Sequence, residues 1–462
     1  GTNNTLIGGL AGDAITTGDY NVAVGSSSLS ANTTADHNSA LGADSLGKNT
    51  TGTNNVAVGS SALYNNTEGD NNTAVGRSAG SAVTTGLKNT VIGALSGDAL
   101  TTGGNNVATG YLSLSADTLG SHSVALGTQA LRRQNFTTAT NSYNVAIGSD
   151  AGTHVTTGIY NTLIGGLAGD ALTDADYNVA VGGDALSSDT LGSRSVAIGT
   201  SALSAQNFTT ATDAYNVAVG NSAGAGVTTG VGNTLLGGLA GDALTDADWN
   251  VAIGKNALST DTLGSFNTAV GINALEIQNF TTATNSYNTA VGALAGGAVT
   301  TGTLNTLIGG LAGDALTDAD DNVAIGQVAL SADTQGSKSV AIGRGALNSQ
   351  NFTTATDSNN VAIGYFAGVS VTTGVQNTIL GSSAGDSLTD ADSNIAIGYS
   401  ALTADTLGSQ SVAIGHSALG TQNFTTATNC NNTAVGFYAG LNVTSGVQNT
   451  IIGGEAGDAL QT

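Results

Sequence analysis

The side chains with the most chemistry to offer recur in rows. Gly169-Asp170-Ala-Leu-Thr-Asp174-Ala-Asp176 returns with Asp242, Asp246 and Asp248, then with Asp314, Asp318 and Asp320, then with Asp386, Asp390 and Asp392. Carboxylates at this spacing are hard oxygen ligands of the kind Ca²⁺ takes. The pattern is neither an EF-hand loop nor the Gly-Gly-x-Gly-x-Asp nonapeptide of calcium β-rolls. The plainer reading is a row of solvated turn carboxylates that keep molecules from sticking together. Asp174, Asp176, Asp246, Asp248, Asp318 and Asp320 are the residues that would hold an ion if one bound.

A second row is the segment Gln134-Asn135-Phe136-Thr137-Thr138-Ala139-Thr140, which returns almost unchanged around Phe208, Phe280, Phe352 and Phe424. A loop on a rigid scaffold is a place for binding, so these five are the candidate contact loops. The alternative is a bulged corner whose Phe folds back on its own chain. Asn-Phe-Thr is also a glycosylation sequon in each copy. A third row places an aromatic ring before a recurring Asn (Tyr143, Tyr177, Tyr215, Trp249, Tyr287). These rings are expected to stack over the turn, with sugar-stacking platforms as the other reading. The Thr-Thr-Gly turns skip too many turns of the repeat for a flat ice-binding array.

Catalysis finds no support. The four histidines (His37, His122, His154, His416) fall in non-equivalent turns without a paired nucleophile. Gly-x-x-x-x-Gly matches are by-products of the repeat rather than phosphate loops. Repeated carboxylates could imitate a glycosidase pair, but a catalytic centre would break the repeat at one place, and no such break is read. The chain is expected to be no enzyme and to use no cofactor.

Composition narrows the classes further. The chain of 462 residues has no proline, no methionine and only 4% aromatic residues, too few for an ordinary globular core of this length. Charged residues are 9% and the formal net charge is -23. Nine Lys plus Arg supply no basic cluster for nucleic acid or anionic lipid. Arg132-Arg133 reads as a solvated pair. Cys430 stands alone, so neither an intrachain disulfide nor a zinc spacing exists. No run of eighteen apolar residues suggests membrane insertion, and no signal peptide is read. The repeat is already under way at Gly1 and still running at Thr462, so a longer parent chain is expected.

The elements that position these rows come from one motif. Asn21-Val22-Ala23-Val24-Gly25 returns as Asn38-Ser39-Ala40-Leu41-Gly42 and Asn55-Val56-Ala57-Val58-Gly59, at a 17-residue spacing. From Asn4 to Asn449 there are 26 such starts; the first position is Asn in 22 and Ser in four (Ser123, Ser195, Ser339, Ser411), and the fifth is Gly in all. A 72-residue period, with turns of 17, 17, 21 and 17, runs from Asn89 to Asn449. The reading is a single continuous domain over 1–462: five 17-residue coils over 4–88, five four-coil blocks over 89–448, and a partial coil over 449–462.

Such a repeat, with two short strands and Gly/Asn turns per coil, suits an all-β parallel β-solenoid of about 26 coils. Coils about 4.8 Å apart would make a rod on the order of 125 Å long, with the Phe loops about 19 Å apart. Positions two and four, mostly Val, Ile or Thr, are expected to fill the coil interior. Position three, Ala in most coils and Leu163, Leu235, Leu307 or Ile379 at the 72-residue spacing, would then face outward. An outward apolar row calls for a cover, and a second and third copy of the chain about a threefold axis is the simplest one. The position-one Asn is read as a turn-former whose amides form a ladder.

Asn55 to Leu63, followed by Asn-Asn-Thr-Glu-Gly and another Asn-x-Ala-Val-Gly, resembles the head repeats of trimeric autotransporter adhesins, the left-handed parallel β-roll class. It is still more similar to the Asn-Thr-Ala-Ile-Gly-Tyr-x-Ala-Leu type repeats of phage tail fibres and bacterial fibre adhesins that end in an endosialidase-type chaperone domain. The 17/21 rhythm favours the fibre-type relatives. The resemblance covers essentially the whole chain and implies a left-handed, homotrimeric extracellular fibre used for attachment, with surface glycans or receptors as partners. A phage tail-fibre shaft recognising host glycans is the alternative, and a β-helical polysaccharide-degrading enzyme comes third.

Overall fold

A computed structural model describes residues 1–461. It falls into two compact units, Gly1–Val231 and Gly232–Thr462, each a parallel β-solenoid. Every regular element among the described residues is a strand. The repeat yields about 26 coils, thirteen three-residue strands in each unit. They pair in parallel and strictly in register, as in Val22↔Ser39, Ala23↔Ala40 and Val24↔Leu41. The expected second strand forms only beside the 21-residue coils, for example Gly120–Ser121 with Thr140–Asn141.

The coil opening at Asn161 shows how a 17-residue turn closes. Tyr160 (φ 57°), Gly165 (φ 137°), Leu167 (φ 59°) and Gly169 (φ 55°) all lie in left-handed backbone. Between these corners the chain hands its hydrogen bonds to the neighbouring coils. Gly165 N–H donates to the carbonyl of Ile147 at 2.8 Å, Leu167 to Ser149 at 3.0 Å, and Thr173 to Thr190 at 2.9 Å. Stacking therefore satisfies backbone groups that no single coil could satisfy alone.

Two faces of the strand are the reverse of the expectation. Position three is the interior: Ala146, Leu163, Ala180 and Ala197 are fully buried. Positions two and four point out, and Val22, Ile198 and Ile253 keep more than a third of their surface exposed. The reason is volume. The inside of a 17-residue coil must also hold the side chains of its far wall, so a three-residue strand can send only its middle residue inward.

That interior is filled by exchange between positions. In the coil from Asn178, Leu186 supplies the bulk and Asp189 stands three residues on; in the coil from Asn161 the same two places are Gly169 and Leu172. A Cβ on Gly169 would lie 2.7 Å from Leu163 Cδ2, and one on Gly152 would lie 2.7 Å from Leu163 Cδ1. Leu163 thus fills the space left by two successive glycines. The 72-residue row of large position-three residues is packing inside the coil rather than an outward face.

Candidate contact surfaces

The Asn row is a buried ladder. Asn178 N–H donates to Asn161 Oδ1 at 3.0 Å, Asn178 Oδ1 accepts from Ser195 N–H at 2.9 Å, and Asn178 Nδ2 donates to the Gly192 carbonyl at 2.9 Å. Each amide ties the start of one coil to the start of the next and to the last corner of its own. No ligand is needed to explain it.

Where Ser replaces Asn, the 21-residue turn supplies what is missing. Gln206 Nε2 donates to Asp189 Oδ2 at 2.6 Å and to Ser195 Oγ at 3.1 Å, and Gln206 Oε1 accepts from Asn216 Nδ2 at 2.9 Å. Phe208 N–H and Gly192 N–H donate to Asp189 Oδ1 at 3.1 and 3.0 Å. The same buried network recurs at Asp117, Asp333 and Asp405. At Asp261 the coil opens with Asn267 instead of Ser, and the Gln278 side chain keeps its bonds to Asp261 and Asn288. Burial pushes the Asp117 carboxyl above its ordinary range, against the pull of Gln134 and the backbone donors. Sequence reading passed over these Asp–Gln pairs; the signal was the Asp in Ser-Ala-Asp117-Thr and its four counterparts, which follow the 72-residue period.

This network turns the Phe loops inward. Phe136 keeps 5% of its surface, and Phe208, Phe280, Phe352 and Phe424 are equally buried. The buried rings make no outward contact surface; at Gly192, Gly264 and Gly336 the ring edge lies next to the buried carboxylate. What the loop presents outward is Asn135, Thr137, Thr138 and Ala139. Cys430 stands where Ser142, Ser286 and Ser358 stand, and burial pushes its thiol up to about 11. At pH 8 the folded thiol should therefore react with an aromatic disulfide at least 100-fold more slowly than the denatured chain does, a ratio measurable by stopped-flow absorbance.

The acidic row is structural in its contacts. Asp176 Oδ1 accepts from Ile159 N–H at 2.8 Å, and Asp320 Oδ1 from Thr303 N–H at 2.7 Å and from its hydroxyl at 2.9 Å. Asp174 accepts from the Thr157 hydroxyl at 2.5 Å, and Thr317 donates to Asp318 at 3.2 Å. Asp246 and Asp248 are also engaged, Asp248 N–H with Ser265 Oγ at 2.9 Å. Among the described residues no three His, Cys, Asp or Glu side chains converge as a metal site, so the six calcium candidates are not brought together. Burial raises the Asp170, Asp176, Asp242 and Asp314 carboxyls.

Much of the aromatic row stacks on itself, though Trp249 and Tyr215 have no ring partner among the stacked pairs. In the first unit His122, Tyr143, Tyr160 and Tyr177 follow one another at 5.1, 5.2 and 5.1 Å between centroids. Arg194 continues the column at 5.3 Å from Tyr177 and 5.7 Å from Tyr215, and it bonds Asp213 at 2.9 Å. In the second unit Trp249 lies over Gly232, and Phe266 stacks on Tyr287 at 5.2 Å. Rings whose faces cover one another have no open face for a sugar, so within these stacks the column serves stiffness.

Compared with known proteins, the chain matches no protein-family model and none of the curated proteins.

Proposed function

We propose that this chain is the shaft of a homotrimeric extracellular fibre that mediates attachment to a surface or host, without catalytic activity of its own. The observation that supports the reading is the outward strand face. On coil after coil its two side chains are Val, Ile, Leu or Thr, partly exposed and aligned in register. An apolar stripe of that length in one chain is built for burial, and an identical stripe on further copies, related by a closed rotation axis, covers it with no new surface chemistry. The likeness of the Asn55–Leu63 repeats to fibre-adhesin repeats points the same way. Parallel ladders make the shaft stiff, and repetition turns individually feeble lateral contacts into firm attachment.

Sedimentation equilibrium tests it. The mass should be three times the chain's 44.8 kDa. Replacing Ile164, Val181 and Ile198 by Lys should release monomers that keep their β circular dichroism. A wild-type monomer at micromolar concentration would overturn the reading.

A further inference from the structure

One stretch of the second unit departs from the repeat in a way the fold does not require. At the position after the invariant glycine, the first unit carries a single aromatic residue, Tyr111, and otherwise small or polar residues. In the second unit the same position reads Arg344, Tyr365, Ser382, Tyr399, His416 and Phe437 on consecutive coils. The counterparts of Tyr365 one, two and three blocks earlier are Ala293, Asn221 and Ser149. Coils of the same design fold without these rings, so the rings answer another demand.

Their column is interrupted by one coil without a ring. Arg344 lies over Tyr365 at 5.8 Å and donates to its hydroxyl at 3.2 Å, and Phe366 on the same coil packs beside that ring at 4.2 Å. His416 covers Tyr399 at 5.1 Å, and Phe437 follows at 5.3 Å. Between Tyr365 and Tyr399 the intervening coil offers only Ser382 and Ser383. Both tyrosines are about half exposed, at 47% and 57%. Two coil rises of about 4.8 Å place the rings on the order of 10 Å apart.

We propose that this slot is a saccharide subsite that takes one neutral hexopyranose ring between Tyr365 and Tyr399, over the Ser382 and Ser383 hydroxyls. Width selects the occupant. A planar ring held between two aromatic faces fills only about 7–8 Å, two van der Waals contacts of 3.5–4.0 Å. A chair with its axial hydrogens is roughly 2 Å thicker and fills the gap at the same contact distances. The polarised C–H bonds of a sugar suit the negative ring faces, and the serine hydroxyls can exchange hydrogen bonds with its hydroxyls. The chain's net charge of -23 disfavours a polyanion. The slot lies beyond the Gly364 and Gly381 corners, off the strand face assigned to partner copies. It names a ligand class for the attachment reading, which the mass measurement tests separately: a trimer that ignores sugars and a monomer that binds them are distinct results.

Saturation-transfer difference NMR on the full chain is the test, with methyl β-D-glucopyranoside, methyl α-D-mannopyranoside and methyl β-D-galactopyranoside as probes and adenosine as the planar competitor. At least one glycoside should receive saturation at its ring C–H protons. That transfer should fall about tenfold in Tyr399→Ser, the worth of one ring contact. It should fall equally in Ser382→Tyr, which fills the slot with the missing ring and keeps the column continuous, its melting temperature confirming an intact fold. No transfer from any glycoside, or undiminished transfer in Ser382→Tyr, overturns the subsite. Adenosine displacing the sugars from the same slot overturns the choice of a saturated ring.

Discussion

Replacing Gly182 by alanine will destabilise the first unit by about 3–5 kcal/mol, whereas the same change one residue on, at Gly183, will fall within about 0.5 kcal/mol of wild type. Gly182 is the fifth residue of its coil, with φ at 137°. A Cβ there would lie 2.6 Å from the carbonyl carbon and oxygen of Gly199, the equivalent residue one coil on. Backbone cannot swing aside as the end of a side chain can, and the left-handed conformation is itself strained for alanine by about 1–3 kcal/mol. Gly183 has open space around its Cβ position and no such φ. Urea titration of the two variants measures the contrast. Because each coil touches only its neighbours, amide exchange in Gly182→Ala should accelerate around the coils that open at Asn161, Asn178 and Ser195 and stay protected farther off. Equal stability of the two variants would remove the close-approach account of the invariant glycine.

Asn178→Ala is the second large loss, about 2–5 kcal/mol, from two buried backbone groups left without partners. The Ser195 N–H loses its acceptor and the Gly192 carbonyl its donor, in a place with no solvent to replace them. Asn178→Asp refines the argument. A protonated carboxyl can still donate to Gly192 and accept from Ser195, but a carboxylate can only accept and faces the carbonyl dipole. Its folded pKa is therefore raised above the unfolded value of about 3.9. With that sign, stability should be close to wild type below pH 4 and decline as pH rises through the folded pKa. Thermal melts from pH 3 to pH 7 would show it, after subtraction of the wild-type profile. An Asn178→Asp curve parallel to wild type would mean that Nδ2 contributes nothing to the ladder.

Both experiments bear on why so much of the fold was legible. A repeat that is nothing but contacts between equivalent positions writes each contact many times over. Gly in all 26 fifth positions and Asn in 22 of the first ones are the sequence image of one close approach and one amide ladder. Period, coil number, parallel register and buried Asn row follow from them. The faces of the strand did not. Val-Ala-Val is apolar on both sides, and alternation alone assigns two residues to one face and one to the other without saying which face is inside. Only the closed coil decides it, because Leu163, Gly169 and Leu172 share an interior too small for two residues per strand.

The functional rows divide in the same way. Composition and spacing singled out the Phe loops, the Asp turns and the aromatic column, yet each turned out to be spent on the coil itself. Phe208 is buried and its N–H holds Asp189, Asp176 holds the Ile159 amide, and Tyr160 lies between Tyr143 and Tyr177. What repeats serves the fold, so the place to look for recognition is where repetition stops. The sequence held that break, Tyr365, Ser382 and Tyr399, but each of the three stands on a different coil, a full turn of chain from the next. The sequence by itself determined about 26 parallel coils and the residues that clamp neighbouring coils together. Tertiary structure alone decided which apolar row faces out and which rings cover one another, since inside and outside, and the direction in which a side chain leans, exist only once the chain has closed on itself.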